Sequence, residues 1–87
     1  MVTVYILRSL ITNKYYIGCT ENIERRIREH NQGFVTATKP FIPYQVELTQ
    51  NYQNLSDARK IELKLKNLKR KDYIEKIITE GKIKMDP

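Results

Sequence analysis

The sequence lacks disulfide bonds and cysteine-based metal sites, which stabilise many small folds. Its only cysteine is Cys19, so neither an intramolecular disulfide nor a cysteine-based zinc site can form. No apolar run approaches the roughly 20 residues of a membrane-spanning helix. Internal repeats, low-complexity tracts and linkers rich in Gly, Ser or Pro are also missing. We therefore expect the 87 residues to form one small domain that makes no use of a membrane.

The first residues give an expectation about localisation. Met1 leads directly into a strand-like segment over residues 2–7, and not into a charged leader followed by an apolar signal core. A single free thiol fits a reducing compartment. We therefore expect a cytoplasmic protein.

Basic residues outnumber acidic ones. Sixteen Lys and Arg against ten Asp and Glu give a net charge of +6, which is a strong positive field for so small a domain. This favours a nucleic acid as the partner, although charge alone leaves open a lysine-rich solvated surface. A short chain also buries a small share of its surface, so a protein partner or a homodimer remains an alternative source of stability.

Alternating apolar residues predict a β-hairpin at the start of the chain. Residues 2–8 and residues 15–18 are rich in β-branched and aromatic side chains, with a turn between them. A charged helix over residues 22–32 follows, with Thr20 as its N-cap and Gly33 as its stop. We expect its buried side to hold three apolar residues, Ile23, Ile27 and Phe34.

The second half of the chain predicts one strand and two helices. After a loop rich in Thr and Pro, residues 44–51 have the composition of a third strand. Asn54 with Asp57 three residues later is typical of a helix start, and a last helix ends at Gly81. Residues 82–87 are expected to be a flexible tail. The order β-β-α-β-α-α implies an α+β fold, in which helices flank a small, mainly antiparallel three-stranded sheet.

Two short strand motifs carry a family resemblance. Thr3-Val4-Tyr5 is followed, after ten intervening residues, by Tyr16-Ile17-Gly18. These segments are similar to the two motifs that name the GIY-YIG nuclease superfamily. Thr and Val replace the Gly and Ile of the first motif, but the strand character and the tyrosine are kept.

Later motifs extend the resemblance over about residues 2–70. Arg26 is followed four residues later by His30, and a predicted helix carries Glu62 with Lys66 four residues on. The ordered set resembles the small stand-alone bacterial GIY-YIG proteins of the UPF0213 type. The late asparagine of some family members has no secure match. The resemblance implies a single GIY-YIG domain over residues 1–81.

The resemblance implies a metal-dependent endonuclease. Such an enzyme hydrolyses DNA phosphodiester bonds, and we expect it to select the shape of the DNA, in repair or recombination, more than its base sequence. Glu62 would be the single protein ligand of one Mg²⁺ or Mn²⁺ ion. The catalytic residues carried over from the family are Tyr5, Tyr16, Arg26, His30 and Glu62.

The resemblance also assigns a role to each side chain. Arg26 would bind the scissile phosphate and stabilise the charge of the transition state. His30 would hydrogen-bond the attacking water, a tyrosine or a phosphate. One of the two tyrosines would help to activate the water, although an ordinary phenol has a pKa near 10.

Each of these residues also has a simpler explanation. Glu62 can pair with Lys66 across one helical turn. Arg26 follows another arginine on a charged helix and can be solvated, and His30 can be a surface residue at a helix end. Both tyrosines can be packing residues, and Tyr15, which should point to the opposite face, is their natural control.

Further residues would line a path for the nucleic-acid backbone. These are Thr20, Arg28, Lys39, Lys66, Lys69, Arg70 and Lys71. Cys19 is expected to be a small, partly buried residue without a base to activate it. Two other functions remain open: a basic nucleic-acid-binding module with little or no catalysis, and a nuclease subunit that needs a partner protein.

Overall fold

The fold is a three-stranded sheet with helices on both faces, described for all residues 1–87 of a computed structural model. Its elements are β1 (Val2–Ser9), β2 (Tyr15–Thr20), α1 (Ile23–Asn31), a 3-10 turn (Lys39–Phe41), β3 (Tyr44–Tyr52), α2 (Leu55–Asn67) and α3 (Lys71–Glu80). The predicted α+β class and the order β-β-α-β-α-α are confirmed. None of the helices has the length and apolar character needed to cross a membrane.

The sheet has the order β2-β1-β3, and both pairings are antiparallel. Strand β1 is central and almost fully buried, which suits its β-branched and aromatic residues. Strand β2 is an edge strand, so one of its sides is open to solvent or to a ligand. This open edge carries the candidate site.

Alternation along β1 divides the apolar residues between the two faces of the sheet. Val4 and Ile6 face α2 and α3, where they form the larger core with apolar residues of those helices. Tyr5 and Leu7 face α1 and pack with Tyr44 in a smaller cluster. A fully buried side chain of this size contributes about 1.5–3 kcal/mol, so the larger core supplies most of the stability.

Helix α1 departs from the prediction at both ends. Its N-cap is Asn22, and not Thr20, because the Asn22 side chain accepts the Arg25 backbone N–H at 3.0 Å. Thr20 instead ends β2, where it pairs with Thr3. Phe34 was expected on the buried side, but it is 74% exposed, because the chain leaves the helix through a left-handed residue at Gly33.

Residues 82–87 form neither helix nor strand, but part of this segment packs on the core. Ile83 is buried, and Met85 packs against the same cluster. The Gln50 side-chain amide accepts the Ile83 N–H at 2.8 Å and donates to the Ile83 carbonyl at 3.1 Å. The sequence did not predict this anchor, because its partners are 33 residues apart.

Candidate active site

The two motif tyrosines lie on the same face of the sheet. In the β1–β2 register Tyr5 is opposite Gly18, and Tyr16 is opposite Leu7, which makes the tyrosines diagonal neighbours. Tyr15 points to the other face and packs against the larger core. The register therefore separates the motif tyrosines from their control, as expected from the alternation.

His30 lies between aromatic rings and is completely buried. Its ring centroid is 5.0 Å from that of Tyr16, 5.8 Å from that of Tyr5 and 6.1 Å from that of Tyr44. Its Nε2 lies 3.1 Å from the Tyr5 hydroxyl. The simpler interpretation of His30 as a surface residue at a helix end is therefore wrong.

A directional chain of hydrogen bonds holds this histidine. His30 Nδ1 is 2.7 Å from the buried Thr38 hydroxyl, which donates to the Val35 carbonyl at 3.3 Å. We assign the Nδ1–H tautomer on this basis, since Thr38 then accepts from His30 while it donates to Val35. Nε2 is consequently an acceptor for the Tyr5 O–H. Thr38 was not among the predicted site residues, because a loop threonine carries no sequence signal for such a role.

Arg26 completes this network from the side of α1. Its Nε–H donates to the Tyr5 oxygen at 3.5 Å, and its Nη1 lies 3.3 Å from a carboxylate oxygen of Glu29. The Arg26 side chain is about one third exposed, which leaves part of the guanidinium free for a ligand. The neighbouring Arg25 is exposed to solvent. The structure thus brings Arg26, and not Arg25, to the tyrosines.

Electrostatics keep this network neutral apart from the arginine. Burial, followed by the positive charge of Arg26, lowers the pKa of His30, so its imidazole is uncharged at neutral pH. Burial raises the pKa of Tyr5, although the hydrogen bond from Arg26 acts in the opposite direction. Tyr5 is therefore a protonated phenol, which suits its donation to His30.

Gly18 lets the Tyr5 phenol cross the edge strand. A Cβ at position 18 would lie 2.4 Å from the Tyr5 hydroxyl oxygen and 2.6 Å from Cζ. No side chain fits in that space. The glycine of the second motif therefore permits the Tyr5 hydroxyl to lie directly over the β2 backbone.

Glu62 reaches the same edge from the opposite face of the sheet. The Cys19 thiol donates to one carboxylate oxygen at 3.1 Å, and the Lys66 Nζ lies 2.7 Å from the other. Burial and then this carboxylate raise the pKa of Cys19 to about 11. The pKa of Tyr5 is set mainly by burial and by Arg26, and the charge of Glu62 raises it further by a smaller amount. The carboxylate therefore lies within electrostatic range of the tyrosine, although α2 and α1 are on different sides of the sheet.

The donors at this edge suit a hard divalent ion with few protein ligands. No group of three or more His, Cys, Asp or Glu side chains surrounds one point, and Glu62 is 15% exposed. Mg²⁺ commonly keeps several waters and takes one or two carboxylates together with substrate phosphate oxygens. One carboxylate fits that pattern, and an ion would displace Lys66 from its second oxygen. The Glu62–Lys66 ion pair, foreseen as the simpler explanation, is also present.

The predicted nucleic-acid-binding residues fall into two groups. Lys66, Lys69, Arg70 and Lys71 line one groove of about 420 Å³ beside β2. The structure does not bring the others to this groove. Arg28 and Lys39 are exposed elsewhere, and the Thr20 hydroxyl bonds the backbone of Asn22.

Comparison with known proteins identifies the family. The GIY-YIG catalytic domain model matches residues 1–77. The chain belongs to the GIY-YIG family. This GIY-YIG domain is similar to the solution NMR structure of the UPF0213 protein BH0048 from Bacillus halodurans, with 26% sequence identity and a TM-score of 0.57. The match covers 93% of this chain and 87% of that one. Comparison with curated proteins gave no significant match.

Membership of the GIY-YIG family implies nuclease activity in general, and hence a nucleic-acid substrate. Nucleases of this family generally use divalent metal ions. The resemblance to small stand-alone members that the motifs indicated is confirmed.

Proposed function

We propose that this GIY-YIG domain is a metal-dependent endonuclease that cuts DNA at structural distortions, in repair or recombination. One observation carries the proposal. Two sets of groups contact neighbouring residues of β2: Tyr5, with His30 and Arg26, lies against Gly18 on one face, and Glu62 bonds Cys19 on the other. A phosphodiester lying along that edge would contact a guanidinium on one side and a metal-binding carboxylate on the other.

Arg26 is the residue that would hold the scissile phosphate. Its fork of donors matches two phosphate oxygens, and the guanidinium keeps an exposed part after its contacts with Tyr5 and Glu29. It also offsets the negative charge that develops on those oxygens in the transition state, an effect worth about 10²–10³ in rate for one well-placed donor.

Tyr5 and His30 would act as positioning residues. Tyr5 is 1% exposed and His30 is fully buried, and both polar atoms of the imidazole have protein partners. Neither group is free to meet a water molecule. Their role is to hold the Arg26 guanidinium at the β2 edge through the Tyr5 oxygen.

Tyr16 is the phenol left for the attacking water. It is half-buried, it lines the groove beside β2, and its ring packs on His30. Its hydroxyl forms no hydrogen bond within the protein and would orient a water against the phosphorus from the face of Tyr5 and His30, opposite to the metal ligand Glu62. The ion held by Glu62 would act as a Lewis acid and lower the pKa of its bound water. The water gives up a proton to solvent as it attacks, the new P–O bond forms as the bond to the leaving oxygen breaks, and solvent protonates the leaving oxygen.

The test uses matched pairs of variants on a panel of duplex, nicked, flapped and branched DNAs with Mg²⁺ or Mn²⁺. We expect metal-dependent cleavage by the wild type, and a loss of about 10²-fold or more in Arg26→Ala, against little change in Arg25→Ala. Tyr16→Phe should be slow, and Tyr15→Phe should not. Glu62→Gln keeps the shape of the side chain but should abolish the metal response.

Two results would replace this proposal by another. Equal binding of DNA by wild type and variants without any cleavage would leave a basic nucleic-acid-binding module. Cleavage that appears only after a second protein is added would identify a nuclease subunit.

A further inference from the structure

A concave groove runs beside the open edge of β2, between that strand and the junction of α2 with α3. Its volume is about 420 Å³, and ten residues line it, of which five are hydrophobic. The other five are all basic: Lys14, Lys66, Lys69, Arg70 and Lys71. The lining contains no carboxylate, so the groove combines an apolar floor with positive walls.

We propose that this groove binds an unpaired, single-stranded segment of the substrate next to the cleavage point. The inference rests on the proposed nuclease function and specifies its substrate as DNA with a single-stranded branch. A duplex presents its phosphates outwards and needs only a charged surface. Sites for single strands instead combine a positively charged groove with side chains on which bases stack.

The size and floor of the groove fit nucleotides. Its volume of about 420 Å³ lies in the range of about 300–1,000 Å³ that small-molecule sites occupy, which is the scale of a nucleotide. Tyr15, whose ring points to this face of the sheet, offers aromatic surface, and Ile17, Leu65 and Ile74 complete the apolar part. Stacking of a base on an aromatic side chain is worth about 1–3 kcal/mol and tolerates any base.

Charges on two sides of the groove remain available for phosphates. Lys66 is paired with Glu62, and Arg70 is paired with Asp72. Lys14, Lys69 and Lys71 form no ion pair. Lys14 precedes β2, with its Nζ 5.9 Å from the centre of the Phe41 ring, and the other two lie at the α2–α3 junction, where the Lys71 Nζ is 5.8 Å from the centre of the Tyr15 ring. A strand lying in the groove would therefore have cations without a carboxylate partner on both sides, of which Lys69 has no contact with an aromatic ring either.

The backbone at Lys69 determines where this lysine lies. Lys69 has φ of 53°, in the left-handed region that costs a residue with a Cβ about 1 kcal/mol or more. Glycine would adopt this turn without that cost. Lys69 follows the α2 C-cap Leu68, the position at which helices commonly end in a left-handed residue, and this turn brings the lysine to the groove.

The groove is continuous with the candidate active site. Lys66 lines the groove and contacts Glu62 at 2.7 Å, and Tyr16 lines the groove and packs on His30. A single strand bound here therefore leads directly to the proposed metal ligand and water-binding phenol. The cut would fall where the single strand joins the duplex.

Binding is measured without divalent metal, so that it is independent of cleavage. The probe is a fluorescein-labelled oligothymidine, titrated by anisotropy with a chelator present and compared with a blunt duplex of the same length. We expect the single strand to bind tighter than the duplex. Lys69→Gly should weaken binding of the oligothymidine by roughly 3- to 10-fold. The plot of log K against log salt should become less steep by about 0.7, the value for one lost phosphate contact.

The choice of variants separates binding from folding. Lys69→Gly relieves the strained backbone, so its melting temperature should stay equal to that of the wild type or rise while its affinity falls. Lys60→Ala and Lys76→Ala remove one charge each at exposed positions outside the groove and should bind like the wild type. Chemical-shift changes should include the backbone amides of Ile17, Leu65 and Ile74.

Three outcomes would overturn the groove assignment. Lys69→Gly and Lys60→Ala could bind the oligothymidine with equal affinity, or the blunt duplex could bind as tightly as the oligothymidine. Polyglutamate could also displace the labelled oligothymidine as well as unlabelled oligothymidine does. The last result would show that the groove recognises charge alone. A protein that binds the single strand through Lys69 but cuts no DNA refutes the proposed nuclease instead. A protein that cuts branched and unbranched DNA equally well, with no effect of Lys69→Gly, refutes the groove and leaves the nuclease standing.

Discussion

Gly18 couples the edge strand to the buried tyrosine, and Gly18→Ala perturbs that contact without adding any polar group. The new Cβ would lie 2.4 Å from the Tyr5 hydroxyl oxygen, whereas ordinary contacts begin at 3.4 Å. The phenol or the β2 backbone must therefore move by about 1 Å. Tyr5 cannot rotate into solvent, because it is 1% exposed and packs with Leu7 and Tyr44.

The shift affects stability and catalysis by separate routes. Overpacking of a filled core costs about 1–3 kcal/mol, and each kcal/mol lowers the melting temperature of so small a domain by about 4–8 °C. The hydrogen bond from Arg26 to Tyr5 is already 3.5 Å long and would be lost. A misplacement of about 1 Å in a catalytic group can reduce the rate by roughly 10²-fold.

Thermal unfolding by circular dichroism and single-turnover cleavage well below the melting temperature measure these two effects. Gly81→Ala is the matched control, because it introduces strain at a left-handed residue with nothing within 4 Å. It should lower the melting temperature and leave the cleavage rate unchanged. Tyr5→Phe removes the closest atom, so the double variant Gly18→Ala with Tyr5→Phe should be more stable than the sum of the single effects. A Gly18→Ala protein that unfolds and cuts like the wild type would refute this reasoning.

Three further predictions concern groups with unusual surroundings. Burial and Arg26 lower the pKa of His30, so the unfolded chain takes up a proton below about pH 6.5 that the folded chain does not. The free energy of unfolding, measured with urea, should therefore fall as the pH decreases through this region, and His30→Asn should not show that decrease. Burial and Glu62 raise the pKa of Cys19 to about 11, so alkylation by iodoacetamide at neutral pH should be slow and should accelerate in Glu62→Gln; equal rates would show that the carboxylate does not act on the thiol. Ile83 is 5% exposed, so Ile83→Ala should lower the free energy of unfolding by about 2–5 kcal/mol, whereas a loose tail would give no change on denaturant titration.

Local signals in the sequence were sufficient for most of the fold. Alternation predicted β1 and β2, and Asn54 with Asp57 predicted the start of α2, where the Asn54 side chain accepts the Asp57 N–H at 2.8 Å. These features depend on neighbours within a few residues. The predicted N-cap of α1 was wrong because Thr20 and Asn22 are both residue types that favour this position. Thr20 pairs with Thr3 in the sheet, so Asn22 caps the helix.

Contacts between distant residues could not be predicted in this way. The bonds of His30 with Tyr5 and of Cys19 with Glu62 join positions 25 and 43 residues apart. The family resemblance implied that five side chains act together, but it did not indicate that Glu62 lies on the other face of the sheet from Tyr5 and His30. Alternation did place Cys19 opposite to Tyr16 and Gly18, and this signal could have indicated its contact with α2.

The most direct test of the central claim is a titration of ¹⁵N-labelled protein with Mn²⁺, whose unpaired electrons broaden nearby amide resonances even when binding is weak. If the two faces of the sheet share one metal site at the β2 edge, the strongest broadening should fall on Glu62, Gly18 and Cys19, and Glu62→Gln should remove it. Broadening centred elsewhere, or an unchanged pattern in Glu62→Gln, would contradict the account.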